Sequence, residues 1–495
     1  MITNKLHGWK VWLPYIILFL LFVYFRAKPI HYQTVPYTYD QGRDFLKAEE
    51  IVRFKNPTFI GPTTGIAGVN HGVWWYYFLA GNYAVFGGNP SGFYWGVLIM
   101  TLISTILFTA FLKKEFGNYI ALIFLLVVTV SPYFVGISIF AGNNILAPPF
   151  VLLFIYSAYE LFKTGRNKFV FLTAFSLSLI FESEMPFGIF IIPSFFVASI
   201  LYAELRKIYR DRNSLLALLA GLMLPFAFRI LFEIKHNFSQ IKGIIAFFNN
   251  PSATNAQSFK GIIHERAVLF LSYFQEIFYE NNKLLVFAVI LLMFSILICR
   301  FKTLSIFNQK IFRFFVSIIV LIFMFSLVYR NNFFWDYYLE GIQYLLLFPM
   351  LLLLYSIKES KKLIIALLIF YSVLVGVKVN YEFNNNIVPT IGLRADIATI
   401  KQVQSIVGKE DFCARIYTPP VVPHTYNYLF HYYNLSGYKV PLDNPVNNTC
   451  IVMIDPDTYE FRIEEWRKNN IPEDFVKTKE VTMSNKVKIE VWTKK

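Results

Sequence analysis

Charge is what this chain has least of. Only 16% of its 495 residues are Asp, Glu, Lys or Arg, against about 25% in a soluble domain, so an ordinary soluble fold is excluded. Acids are scarcer than bases, 31 against 46, for a net charge of +15. A basic excess can mark a nucleic-acid binder. Here the Lys and Arg residues fall in short clusters between apolar runs, the distribution of the positive-inside rule, and nucleic acid is set aside as a partner. There are three cysteines and no Cys-x-x-Cys pair, which argues against a zinc site. HExxH, GxSxG, GxxxxGK[ST] and a Rossmann glycine turn after a strand are all missing, and with them the usual signatures of soluble enzymes. No internal repeat or low-complexity tract is evident.

What the chain has instead is apolar length. Residues 11–25, 93–112, 118–137, 145–162, 168–181, 187–203, 214–232, 284–299, 314–329, 341–356 and 363–378 are apolar runs close to the length that crosses a bilayer. They give about eleven crossings. Lys5 and Lys10 precede the first run, and Arg26, Ala27 and Lys28 follow it with no small-x-small cleavage site, so it reads as an uncleaved first span.

The charges test this count. With the N-terminus in the cytoplasm, every loop expected on that side is a cationic cluster: Lys113 and Lys114; Lys163, Arg166 and Lys168; Arg206, Lys207, Arg210 and Arg212; Arg300, Lys302, Lys310 and Arg313; Lys358, Lys361 and Lys362. Counting the Trp- and Tyr-rich residues 72–86 as a span would reverse every later loop, so they are predicted to form an interfacial helix. The other side then receives residues 26–92, 141–144, 181–186, 235–283, 330–341 and everything after about 379. That tail alternates short β-type runs (ARIYTPP, CIVMIDP, DFVKTKEV, KVKIEVW) with helical patterns (DIATIKQVQSIV, TYNYLFHYYNL, TYEFRIEEWRKN). It reads as a small extracytoplasmic α/β domain, 379–495, appended to a membrane domain, 1–378. A Cys413–Cys450 disulfide is allowed there and left open.

The acids on the outer side are the chemical candidates. Asp40 and Asp44 in YDQGRD are four apart and would share a helix face. Asp40 could be an N-cap, a solvated loop acid or a general base, with Arg43 and His71 supplying positive charge nearby. Glu182 and Glu184 in FESEMPF, and Asp336 and Glu340 in FFWDYYLEG, fit either wet interfacial acids or a site; the aromatics around Asp336 suit an interface belt or a sugar-stacking surface. Gly61, Gly65, Gly68 and Gly72 around His71 predict a tight irregular loop.

The order of first span, YDQGRD, IGPTTGIAGVNHGVWWYYFLA and GGNP resembles the first external loop of glycosyltransferase family 39-like membrane proteins. These share the GT-C architecture with protein O-mannosyltransferases and the lipid A aminoarabinose transferase. The tail segments IYTPPVVPHTYNYLFHYYNLSGYKVP and CIVMIDPD are similar to tails of bacterial members. The resemblance implies a polytopic α-helical membrane protein that moves a sugar from a polyprenyl-phosphate donor to an extracytoplasmic lipid, glycan or protein acceptor, with inversion and without a cofactor. It places the catalytic base at Asp40, with Asp44 in reserve. Arg43 and His71 become candidates for the donor phosphate, and Glu182, Glu184 and Asp336 for substrate contacts. Where the family often has an Asp-Glu pair this chain has Asp40-Gln41, and where an acid commonly follows in the next outer turn it has Asn143 and Asn144. Both departures weaken a metal-dependent route. A transporter or flippase of lipid-linked sugars is the rival reading; apart from Arg229 and Glu233 the spans are nearly free of charge, whereas transporters more often bury ionisable groups at mid-span. A second rival, a non-catalytic assembly or sensor protein, would tolerate the loss of Asp40.

Overall fold

The protein, a computed structural model, is described over residues 2–249, 258–278, 283–329, 334–357, 361–385, 392–408, 412–419, 422–435 and 449–495. Apolar runs become helices because hydrocarbon offers a backbone N–H or C=O no partner outside its own segment. Each of the eleven runs falls on a helix: Ile2–His31, Pro90–Val130, Ala147–Thr164, Asn167–Ser183, Met185–Leu201, Arg212–Lys235, Lys283–Arg300, Ile306–Ser326, Ile342–Tyr355 and Lys361–Asn385. Pro90–Val130 carries two of the runs. It breaks at Gly117, whose φ of 83° is open to glycine and strained for other residues. Among the described residues six helices are long and apolar enough to cross a bilayer, or up to seven if the bent pair Met185–Leu201 and Ala203–Tyr209 is one span. The expected eleven therefore exceeds what length and apolarity alone support.

The loops sort to two ends as the charges implied. At one end the cationic clusters are joined by acids: Glu115 pairs with Lys163 at 2.6 Å, and Glu204 with Lys310 at 2.5 Å. At the other end lies the first long loop. Its aromatic segment forms a helix, Trp74–Phe86, of 13 residues, short of the ~20 that a crossing needs. Residues 235–283, read from the sequence only as a loop, contain the helices Ser239–Asn249 and Phe259–Phe278. Their apolar residues recur on one face, but polar positions between them kept the segment out of the hydropathy count. Lys358, residues 330–333 of the predicted outer loop and residues 436–448 of the tail lie outside the described residues.

All four predicted strands form: β1 (Cys413–Tyr417), β2 (Thr449–Ile454), β3 (Phe475–Thr482) and β4 (Lys488–Lys494), in the order β1-β2-β4-β3. β1 and β2 run parallel, the other pairs antiparallel. Cys413 and Cys450 face each other in register across β1 and β2, with Cα atoms 4.5 Å apart, and are disulfide-bonded. The last membrane-domain helix runs on to Asn385, so the tail's own secondary structure begins at the helix Leu393–Val407.

This unit is docked on the first loop. Its helix His424–Tyr432 lies against the helix Tyr39–Arg53. Gly42 makes that approach possible: a Cβ there would stand 2.5 Å from the backbone of His424 and Thr425. Tyr37 donates to the Thr425 carbonyl at 2.9 Å, Tyr428 donates to the Gly88 carbonyl, and His431 meets Glu49 at 2.7 Å. The acids of the first loop and the C-terminal unit are thus on the same end of the protein.

Candidate active site

The helix Tyr39–Arg53 starts from a capping box. Gln41 reaches back to the Thr38 N–H at 2.9 Å, so Thr38, not Asp40, is the cap. Asp40 is left in the first turn, near the positive end of the helix dipole. One turn further on the helix is buried: Phe45 stacks on Phe93 with ring centroids 3.8 Å apart, and Asp44 is only 1% exposed. Arg43 ties the two acids together, with Nη1 2.9 Å from Asp40 and Nε 2.9 Å from Asp44. The other Asp44 oxygen accepts from the Trp75 indole at 2.8 Å. Burial pushes the Asp44 carboxyl up to about 6, against the pull of Arg43. The Asp40 side chain keeps 64% of its surface open. Of the two aspartates, only Asp40 has a carboxylate available to an incoming group.

His71 is delivered by a close crossing of backbone. The Gly61 N–H donates to the His71 carbonyl at 3.0 Å and the Gly72 N–H to the Glu182 carbonyl at 2.7 Å. A Cβ on Gly61 would lie 2.0 Å from the Gly72 oxygen, and one on Gly72 would lie 2.2 Å from Glu182 Oε2. The loop is held from behind by Arg229, which donates from Nε to Glu182 at 2.6 Å and from Nη1 to the Asn70 carbonyl at 2.9 Å and to Gln240 at 3.1 Å. Glu182, expected to touch substrate, is therefore committed to Arg229 and packed beneath Gly72. His71, expected to supply positive charge, is pushed down to about 3 by burial and by the nearby Arg229 and Arg43. It is neutral at physiological pH and brings hydrogen-bonding capacity, not charge.

These elements close around a cavity of about 830 Å³. Asp40, Arg43, Asp44, His71, Glu184 and Asp336 all line it; Glu182 does not. Asp336 sits on the exposed rim, one oxygen accepting the Tyr337 N–H at 2.9 Å. Four residues on, Glu340, 8% exposed, accepts from the Tyr133 hydroxyl and, at 3.0 Å, from the Asn144 amide. Burial raises Glu340 to about 7. Glu184 is 2% exposed and is raised by burial and by facing Glu340. Glu276 and Gln343, bonded at 2.6 Å, complete the polar wall. Arg43 is the only Lys or Arg on the wall among the described residues. Much of the remaining lining is apolar, including Ile137, Phe140, Ile189, Phe190 and Val328. Among the described residues no group of three or more His, Cys, Asp or Glu is placed to hold a metal ion.

In the sequence Glu340 is one of several outer-side acids without an assigned role, and Asn144 stands only where an acid is commonly found. Tyr133, Glu276 and Gln343 carry no expectation there. A single Tyr in SPYFVG and a single Glu in FQEIF carry no periodic or spacing signal; only the packing of distant helices brings them to one wall.

Residues 70–237, about a third of the chain, match the family described as dolichyl-phosphate-mannose-protein mannosyltransferase. No curated protein matches the sequence. Among solved structures the chain is similar to ArnT from Cupriavidus metallidurans bound to undecaprenyl phosphate, with a TM-score of 0.60 at 10% identity over 98% of both chains. The apo form of the same protein matches with a TM-score of 0.59 at 11% identity, again over 98% of both chains. At that identity the likeness is one of fold, and it spans the membrane domain and the tail alike. The chain therefore has the GT-C fold of the ArnT structures, from its first span to its C-terminal sheet, as the resemblance in its first loop implied.

Proposed function

We propose that the protein is a membrane glycosyltransferase that takes a sugar from a polyprenyl-phosphate donor and passes it to a hydroxyl of a lipid, glycan or protein acceptor. The observation that carries the reading is the cavity, which sets Asp40, Arg43 and His71 beside apolar walls. An amphiphile with a charged, sugar-bearing head and a long hydrocarbon tail is the ligand such a boundary suits. The match of residues 70–237 to a lipid-phosphate-sugar transferase family supports the same donor class. The cationic end of the bundle is taken as cytoplasmic by the positive-inside rule, which puts the cavity and the C-terminal unit outside.

In this reading an acceptor hydroxyl attacks the anomeric carbon from the face opposite the phosphate. The new C–O bond forms as the bond to phosphate breaks, the phosphate leaves with the electron pair, and configuration inverts. Asp40 receives the hydroxyl proton, a contribution of about 10²–10⁴-fold for a positioned base. Arg43, oriented by Asp44 and Trp75, faces the leaving phosphate as a charge-assisted donor, and His71 adds a neutral hydrogen bond. The test is transfer from undecaprenyl-phosphate mannose and related donors to cell-envelope acceptors by purified protein. Wild type should transfer and Asp40→Asn should lose about 10²–10⁴-fold in turnover with its fold intact. Normal turnover by the variant removes Asp40 from the chemistry. Lipid-sugar translocation without transfer replaces the enzyme with a flippase.

A further inference from the structure

Glu184 has no place in the proton transfer or phosphate binding just described, yet it is a buried acid on the cavity wall. It lies between the helices Asn167–Ser183 and Met185–Leu201, is 98% buried, lines the cavity, and has no side-chain hydrogen bond within the described residues. Leaving a buried carboxyl unpaired costs on the order of 1–3 kcal/mol or more, so such a group is retained where a ligand completes it. Across from it Glu340 is fixed by Tyr133 and Asn144. Its orientation is therefore set before any ligand arrives.

We propose that Glu184 and the Glu340–Tyr133–Asn144 cluster form the subsite that holds the hydroxyl groups of the donor's sugar ring. This rests on the proposed transferase reading and names the part of the substrate that this wall takes. A phosphate does not belong there, because two carboxyls face it and the cation of the cavity, Arg43, stands beside Asp40 and Asp44 instead. A hydrocarbon tail does not belong there either, since it would leave Glu184 desolvated and unpaired. A sugar hydroxyl donates to one carboxyl oxygen and accepts from a protonated partner or from an amide, which is what a coupled carboxyl pair beside Asn144 and a tyrosine presents. Phe140, Tyr337 and Tyr338 also line the cavity and supply the flat faces on which a pyranose packs.

The experiment compares binding of bare undecaprenyl phosphate with that of undecaprenyl-phosphate mannose, glucose and 4-amino-4-deoxyarabinose to full-length protein in nanodiscs. Wild type should bind a hydroxyl-rich sugar donor more tightly than the bare lipid. Glu184→Gln should remove about 10–100-fold of that sugar-dependent increment while leaving bare-lipid affinity unchanged, which also reports an intact fold. Glu340→Gln, whose amide oxygen can keep the bond from Asn144 while its NH2 donates to the Tyr133 hydroxyl, should show a loss of the same kind. An unchanged sugar increment in both variants overturns the subsite with the transferase reading left standing. Equal loss on the bare lipid moves Glu184 to the lipid-phosphate site and overturns it too. Preference for the amino sugar over the hydroxyl sugars overturns the hydroxyl assignment. Failure of wild type to bind undecaprenyl phosphate in any form overturns the transferase reading itself.

Discussion

Arg229→Met is expected to destabilise the protein by about 3–5 kcal/mol, the cost of stripping one partner from a buried ion pair. The structure sets the size. The Arg229 and Glu182 side chains are 14% and 1% exposed, and Nε stands 2.6 Å from Oε1. Met fills most of the guanidinium's volume, so little of the cost is a cavity. What remains is a Glu182 carboxyl with its cation gone, wedged against Gly72, and an Asn70 carbonyl and Gln240 amide that have lost the Arg229 donor. The double variant Arg229→Met/Glu182→Gln removes the stranded charge and should recover at least ~2 kcal/mol of the loss. Chemical denaturation in detergent, run as a double-mutant cycle, measures both numbers. A single variant within about 1 kcal/mol of wild type, or two strictly additive losses, would refute the argument that this pair holds the His71 loop.

Three further outcomes follow from other parts of the fold. In the C-terminal unit Asp396 is pushed up to about 8 by burial and by Asp455, which is itself raised to about 6. A folded value above that of the unfolded chain means that the folded unit holds a proton the unfolded chain has lost. Stability should therefore fall as pH rises from about 4 to about 8 and level off above that; pulse proteolysis at pH 5, 7 and 9 reads the slope, which Asp396→Asn should flatten. Reducing Cys413–Cys450, a bridge spanning 37 residues, should cost the unit ~4 kcal/mol, read as a lower denaturation midpoint in dithiothreitol. Gly42→Ala would place a methyl 2.5 Å from the His424 and Thr425 backbone, and should speed proteolytic release of the unit with little effect on the membrane helices.

The parts of this fold that were legible in the sequence are those governed by local periodicity and by charge. Apolar runs of bilayer length could only be helices, cationic clusters could only sort to one side, and the alternating tail gave β1–β4 in the right places. T-x-x-Q spacing marks Thr38 as the cap, although Asp40 is the more conspicuous residue. Glu233 illustrates the opposite case. From the sequence it is a stray charge near the end of a span; in the structure it accepts the Gln240 and Ile241 N–H groups at 3.3 Å each, satisfying the first turn of Ser239–Asn249. Arg26 behaves likewise: expected to flank the first span, it is fully buried and donates to the Val128 and Phe134 carbonyls at 2.8 and 2.9 Å, near the end of Pro90–Val130. Such roles depend on which helix ends meet, and no window of sequence carries that information. The same limit applied to the cavity. Asp40, Arg43 and His71 share one loop and could be grouped by reading, whereas Tyr133, Asn144, Glu184, Glu276 and Glu340 come together only through packing. His71 also shows why proximity in sequence is not chemistry, since two arginines and burial remove the charge that its type led one to expect.

The central claim is that Asp40 takes a proton from an acceptor hydroxyl while a lipid-linked sugar is transferred. Single-turnover transfer from undecaprenyl-phosphate mannose, or whichever of the related donors wild type uses, tests it most directly. Asp40→Asn, folded and with donor affinity close to wild type, should turn over about 10²–10⁴ times more slowly. A variant that binds donor and transfers sugar at the wild-type rate would contradict the account.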